Sequence, residues 1–197
     1  MKIAKIVKSN SHVDYVARVL DGLESAVPPE VEDYHFARFV FIPSEHSTTY
    51  GLIYNSQLVN PEFGRLGPRL SGSLNMNAVF SPDLLNEQGV LIGILLIGWV
   101  DENGEIKQGI PRSVVPVNSE VFTMSDADIK SFHCGREDKL VLHYYSQVIT
   151  HGRQFAPQLL LAVLDKLEEL FSETSLAEIR LLRRTLTWQQ VFQNKSL

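Results

Sequence analysis

The residues able to do chemistry are few and widely spaced. The histidines are His12, His35, His46, His133, His143 and His151, and the one cysteine is Cys134. His143 and His151 stand about two helical turns apart, too far to share one metal ion without bending. His133-Cys134 places a ring nitrogen beside a thiol. A thiolate needs a basic environment, and the pair reads as part of an ordinary loop. His12 and Asp14 have the form of a base with its orienting group, because residues two apart on a strand share a face. No nucleophile stands near them in the sequence, so chance explains their spacing.

Other catalytic signatures are missing. There is no Gly-Lys-Ser or Gly-Lys-Thr to close a phosphate loop, no dinucleotide fingerprint, no Gly-x-Ser-x-Gly elbow and no His-Glu-x-x-His helix. Asp101-Glu102-Asn103-Gly104 is acidic but lacks the later ligands of a Ca²⁺ loop. The expectation is a non-enzymatic protein with no catalytic residue, no metal and no cofactor. Binding candidates remain. Arg180, Arg183 and Arg184 cluster on a predicted last helix, either as a partner or phosphate contact or as a solvated face. Arg65, Arg69 and Arg112 would make a second basic spot if the loop bearing the first two folds back. Asn60, Arg65 and Arg69 are the polar groups of a loop that would hold a small ligand. Trp99 and Trp188 read as core anchors.

These groups sit on a chain of 197 residues, 44% apolar and 21% charged, with net charge −5. That suffices to bury a core and excludes a disordered polypeptide. The longest apolar run, Val90 to Val100, falls short of the roughly 20 residues a bilayer helix needs. The opening MKIAKIVKSN has no signal-peptide pattern, and a single cysteine excludes an internal disulfide. A soluble, cytoplasmic protein without membrane contact is expected. Residues 1–125 carry 9 Lys and Arg against 14 Asp and Glu, while residues 126–197 carry 9 of each. An acidic first half speaks against nonspecific nucleic-acid binding.

The first half reads as β. Candidate strands are Lys2 to Val7, Tyr15 to Leu20, Phe36 to Ile42, Gly51 to Tyr54, Val90 to Val100, 106–110 and Glu120 to Thr123. Val90 to Val100 has the continuous apolar character of a strand buried on both faces, with Gly93 and Gly98 marking close approach or a bulge. Asp101-Glu102-Asn103-Gly104 reads as a hairpin turn in which Asn-Gly supplies the positive φ angles. Six or seven short strands without alternating helices predict a small antiparallel barrel. Asn55 to Pro82, rich in glycine and proline, reads as a long connection.

The second half reads as α. Ser125 with Asp128 predicts a capping box opening a helix near residue 126. Pro157 sits in the first turn of a helix whose stripe is Leu160, Val163, Leu164, Leu167, Leu170 and Phe171. Ser175-Leu176-Ala177-Glu178 predicts a second box, opening a helix with Leu176, Ile179, Leu182 and Leu186 on one face. The class is α+β: a barrel over 1–125 with a 55–82 loop, then a helical region over 126–197.

Three segments carry a family resemblance. Ile3-Ala4-Lys5-Ile6-Val7, then Glu32-Asp33-Tyr34 to Ile42 with Gly51-Leu52-Ile53-Tyr54, then Ile110-Pro111-Arg112 to Val121-Phe122-Thr123-Met124-Ser125-Asp126 resemble the HAS-barrel family, shared by HerA-type DNA translocases and rotary ATP synthase subunits. Ala4 and Glu32 stand where that family often has glycine. The resemblance covers about residues 1–125 and implies the barrel without the motor, since no Walker motif follows. It implies an assembly or adaptor protein: a homo-oligomer, or an accessory subunit of a separate HerA-like ring ATPase. The alternatives are a nucleic-acid accessory protein using the arginine cluster and a ligand-binding module using the 55–82 loop.

Overall fold

The computed structural model describes residues 1–45, 47–60, 89–135, 139–171 and 179–187. Among them seven strands form one antiparallel sheet: β1 (Lys2–Ser9), β2 (Asp14–Val19), β3 (Phe39–Pro43), β4 (Thr48–Val59), β5 (Gly89–Val100), β6 (Ile106–Gln108) and β7 (Glu120–Thr123). Their order is β2-β1-β7-β3-β4-β5-β6, and β2 also pairs with β5 from Asp14↔Leu95 to Arg18↔Leu91. That pairing closes six strands into a barrel and leaves β6 as an added strand at the rim.

β5 is the hub. It pairs with β4 along nearly its whole length, with β2 over Leu91 to Leu95, and with β6 over Gly98 to Val100. Ile94, Leu95, Leu96 and Ile97 are all fully buried. Four consecutive buried residues require cover on both faces: the barrel interior on one, and the helical region on the other. This is why the segment is apolar throughout rather than alternating. Gly98 is demanded by packing, since a Cβ there would lie 2.5 Å from the Lys107 carbonyl oxygen and 2.7 Å from the Phe132 ring.

Three differences from the sequence reading have a visible cause. Phe36, Ala37 and Arg38 lie outside β3, because Ala37 takes φ +66° in the turn that enters it. β4 continues through Asn55 to Val59, paired with Gly93 back to Gly89. Residues 55–59, read from the sequence as the start of a loop over 55–82, are therefore strand; pairing to a long partner overrides the turn-like composition of Asn55-Ser56, and 61–82 of that reading lie outside the described residues. β6 stops at Gln108, since Gly109 takes φ +131°.

Four α-helices follow among the described residues: α1 (Asp126–His133), α2 (Tyr145–His151), α3 (Ala156–Leu170) and α4 (179–187). α1 opens on the expected box, with Ser125 Oγ accepting from Asp128 N–H at 3.2 Å and Asp128 Oδ2 accepting from Ser125 N–H at 3.0 Å. α3 begins with Pro157 in its first turn. Leu159, Leu160, Val163, Leu164 and Leu167 of α3 are fully buried, and Ile179 and Leu186 of α4 join the same core. The apolar surplus of α3 is thus covered within the protein itself. The Ser175–Glu178 box and Trp188 lie outside the described residues. No helix among the described residues is long and apolar enough to cross a membrane.

His133 is a core residue. It is fully buried beside Phe39, Phe132 and Tyr144. Its Nδ1 lies 2.7 Å from the Ile129 carbonyl, which can only accept, so Nδ1 carries the proton. Nε2 then accepts the Tyr144 hydroxyl at 2.8 Å. Burial pushes the pKa of His133 down to about 4, holding the ring neutral.

Candidate functional site

A cleft of about 930 Å³ opens at the barrel rim. Its walls are the β5–β6 hairpin, the turn entering β4, the segment that follows β6 and the α1–α2 connection.

The hairpin is shaped by Asp101. Its Oδ1 accepts the N–H groups of Asn103 and Glu105, each at 2.9 Å, and Gly104 takes φ +78°. Among these turn residues only Gly104 is left-handed. The turn is therefore a longer Asx-anchored loop rather than the two-residue Asn-Gly turn read from sequence; the Asp101 carboxylate supplies the bonds that fix it. Those backbone bonds depress the Asp101 pKa. Lys107 reaches Glu105 and, at 3.6 Å, Asp101; the Glu105 contact leads the upward shift of its ammonium.

Gln108 joins hairpin to helices. Its Nε2 donates to the carbonyls of Phe132 (2.9 Å) and Val141 (3.1 Å), while Oε1 accepts from His143 N–H at 2.7 Å. On the opposite wall Ser47 Oγ donates to the Val100 carbonyl at 2.7 Å. The segment after β6 is pinned to the barrel twice. His12 Nε2 donates to the Pro111 carbonyl at 2.7 Å, and Val115 N–H donates to the hydroxyl of buried Tyr15 at 3.1 Å. Arg112, between these anchors, is exposed on the cleft.

The result is a recognition surface. It offers the half-buried Trp99, the aliphatic Ile106 and Val141, the Arg112 guanidinium and the backbone of β6. Trp99 is thus a rim residue, not the core anchor read from sequence. Its position at the end of a buried strand, just before an acidic turn, was the available signal. Gln108 carried none, because its partners Phe132, Val141 and His143 are remote in sequence.

The sequence candidates fall in several places. Asn60 follows β4 and is exposed, while Arg65 and Arg69 lie outside the described residues, as does His46. Arg180 and Arg184 are exposed on α4. Arg183 turns back to α3, with Nη1 2.7 Å from Asp165 and Nη2 3.0 Å from Glu168. His12 and Asp14 do not form a pair: His12 precedes β2, so the strand rule fails for it. Asp14, nearly buried, instead accepts the Tyr54 hydroxyl at 2.8 Å and lies 3.8 Å from Arg153. Burial, then the bond to Asp14, pushes the Tyr54 pKa up to about 12. Among the described residues no group of three or more His, Cys, Asp or Glu could hold a metal ion.

Residues 1–195 match the model of a family described as a domain of unknown function (DUF8166). No curated protein matches the sequence.

Proposed function

The chain belongs to the DUF8166 family, and from that premise we propose that it is a non-enzymatic interaction and assembly protein that docks partners in the rim cleft. The cleft carries the reading: it sets an aromatic ring and a guanidinium around an apolar strip, the residue types that dominate protein interfaces. The HAS-barrel resemblance supplies a partner class, a separate ring ATPase of the HerA-like kind, and a second role in self-association. With the α3 stripe covered inside the protein, self-association falls to the barrel, at its rim cleft.

Photo-crosslinking in cells tests this. A photoreactive residue at Arg112 or Asn103, both exposed on the cleft, is compared with one at Lys8, exposed on β1. Discrete adducts from the two cleft positions and not from Lys8 are expected. An adduct with a second copy of the protein would mark the homo-oligomer. No adduct above the Lys8 background would refute the reading.

A further inference from the structure

Barrel closure through β2 and β5 leaves a short strand edge at the rim, that of β6. The bonds flanking β6 set its phase. Asp101 N–H donates to the Glu105 carbonyl and Gly109 N–H to the Ile97 carbonyl, each at 2.8 Å. Lys107, opposite Trp99, therefore occupies the bonded position of the alternating ladder. Ile106 and Gln108 aim their backbone N–H and C=O groups away from β5. The cleft runs along that edge. The Gln108 side chain, rather than a backbone ladder, spans from β6 to the end of α1 and the α1–α2 connection. Open edges of this kind are usually covered or charged, because they accept another strand.

The charges give the site a polarity. Before β6 the acidic hairpin carries Glu102, and Asp101 is balanced by Lys107. After β6 comes Arg112, exposed and with no carboxylate partner among the described residues. We propose that the cleft takes an extended peptide segment, which adds as a strand to β6 and sets a carboxylate on Arg112. This rests on the cleft being the docking surface and names the chemistry of what docks there: backbone bonds from Ile106 and Gln108, an apolar side chain against Trp99, and an acid at the Arg112 end. The carboxylate belongs to an Asp or Glu of the peptide or to its free C-terminus.

The test is selection from a phage library of random peptides about ten residues long, displayed both internally and with free C-termini. Enriched peptides are synthesised and measured by fluorescence anisotropy. Enrichment of alternating apolar sequences bearing an acid is expected. Ile106→Pro removes the outward N–H while sparing the β5 ladder, and abolishes binding. Arg112→Gln weakens binding about tenfold, and changing the peptide's Asp or Glu to its amide does the same with no further loss in Arg112→Gln. Amidation of the peptide's terminus has that effect only if the C-terminus is the source. Circular dichroism confirms that both variants fold. Binding that survives Ile106→Pro, or no enrichment over an unrelated protein, overturns the strand proposal. If cleft crosslinks form nonetheless, only the strand geometry fails; if crosslinks are also absent, the docking surface itself fails. Concentration-dependent dimerisation abolished by Ile106→Pro would assign the edge to a second copy and overturn the peptide proposal.

Discussion

His133 makes the stability of this fold depend on pH in a defined window. Free histidine titrates near 6.5, and in the folded protein the value falls to about 4 because the ring is fully buried. Between those two values the unfolded state binds a proton that the folded state refuses. Stability is therefore highest above about pH 6.5, falls as the pH drops toward 4, and levels off below. A difference of about 2.5 units at about 1.4 kcal/mol each makes the total about 3 kcal/mol. The assay is urea unfolding followed by far-ultraviolet circular dichroism at about pH 7.5, 6, 5 and 4.5. His133→Gln is the control, since an amide can donate to the Ile129 carbonyl and accept from Tyr144 without titrating. The wild type is expected to lose about 2.5 kcal/mol more than His133→Gln between pH 7.5 and 4.5. Parallel curves would refute the argument, because exposed carboxylates and other histidines would then supply the whole dependence.

Four further outcomes are expected. Leu160→Asp puts a carboxylate at a fully buried position of α3 and should cost more than about 4 kcal/mol, read as loss of soluble protein or of the unfolding transition. Gly98→Ala should cost about 2 kcal/mol or more by urea unfolding, since its Cβ would sit against the Lys107 carbonyl and the Phe132 ring. Tyr54→Phe strips a bond from the nearly buried Asp14 carboxylate; a loss of about 1–3 kcal/mol is expected, along with disappearance of the tyrosinate that titrates near 12 in the ultraviolet spectrum. Gln108→Leu removes three bonds from β6, one to Phe132 of α1 and two to the α1–α2 connection; hydrogen exchange at Val141 and His143 should quicken at least about tenfold while the barrel amides stay protected.

Much of the architecture was legible locally. The apolar continuity of Val90 to Val100, the Ser125–Asp128 spacing and Pro157 at a helix start each encode an element within a few residues. So does the placement of Gly104 after the acidic turn, although the Asp101 side chain rather than Asn103 proved to shape it. Composition misled where pairing prevailed, as at Asn55 to Val59, whose turn-like residues are held extended by β5.

The site was far less legible. As a binding residue Arg112 entered the sequence reading only beside two loop arginines, and Trp99 only as core. Their meaning comes from groups distant in the sequence: β2 reaching β5 to close the barrel, Gln108 reaching Phe132 and Val141, Tyr15 holding Val115. Side-chain periodicity reports which face of an element is apolar, and that much the sequence alone determined: strands, helices and their order. Closure, the open edge of β6, the neutral core histidine and the ion pairs of Arg183 were decided by tertiary structure. Each depends on which apolar faces meet, and burial fixes those meetings between residues tens of positions apart, where no local pattern records them.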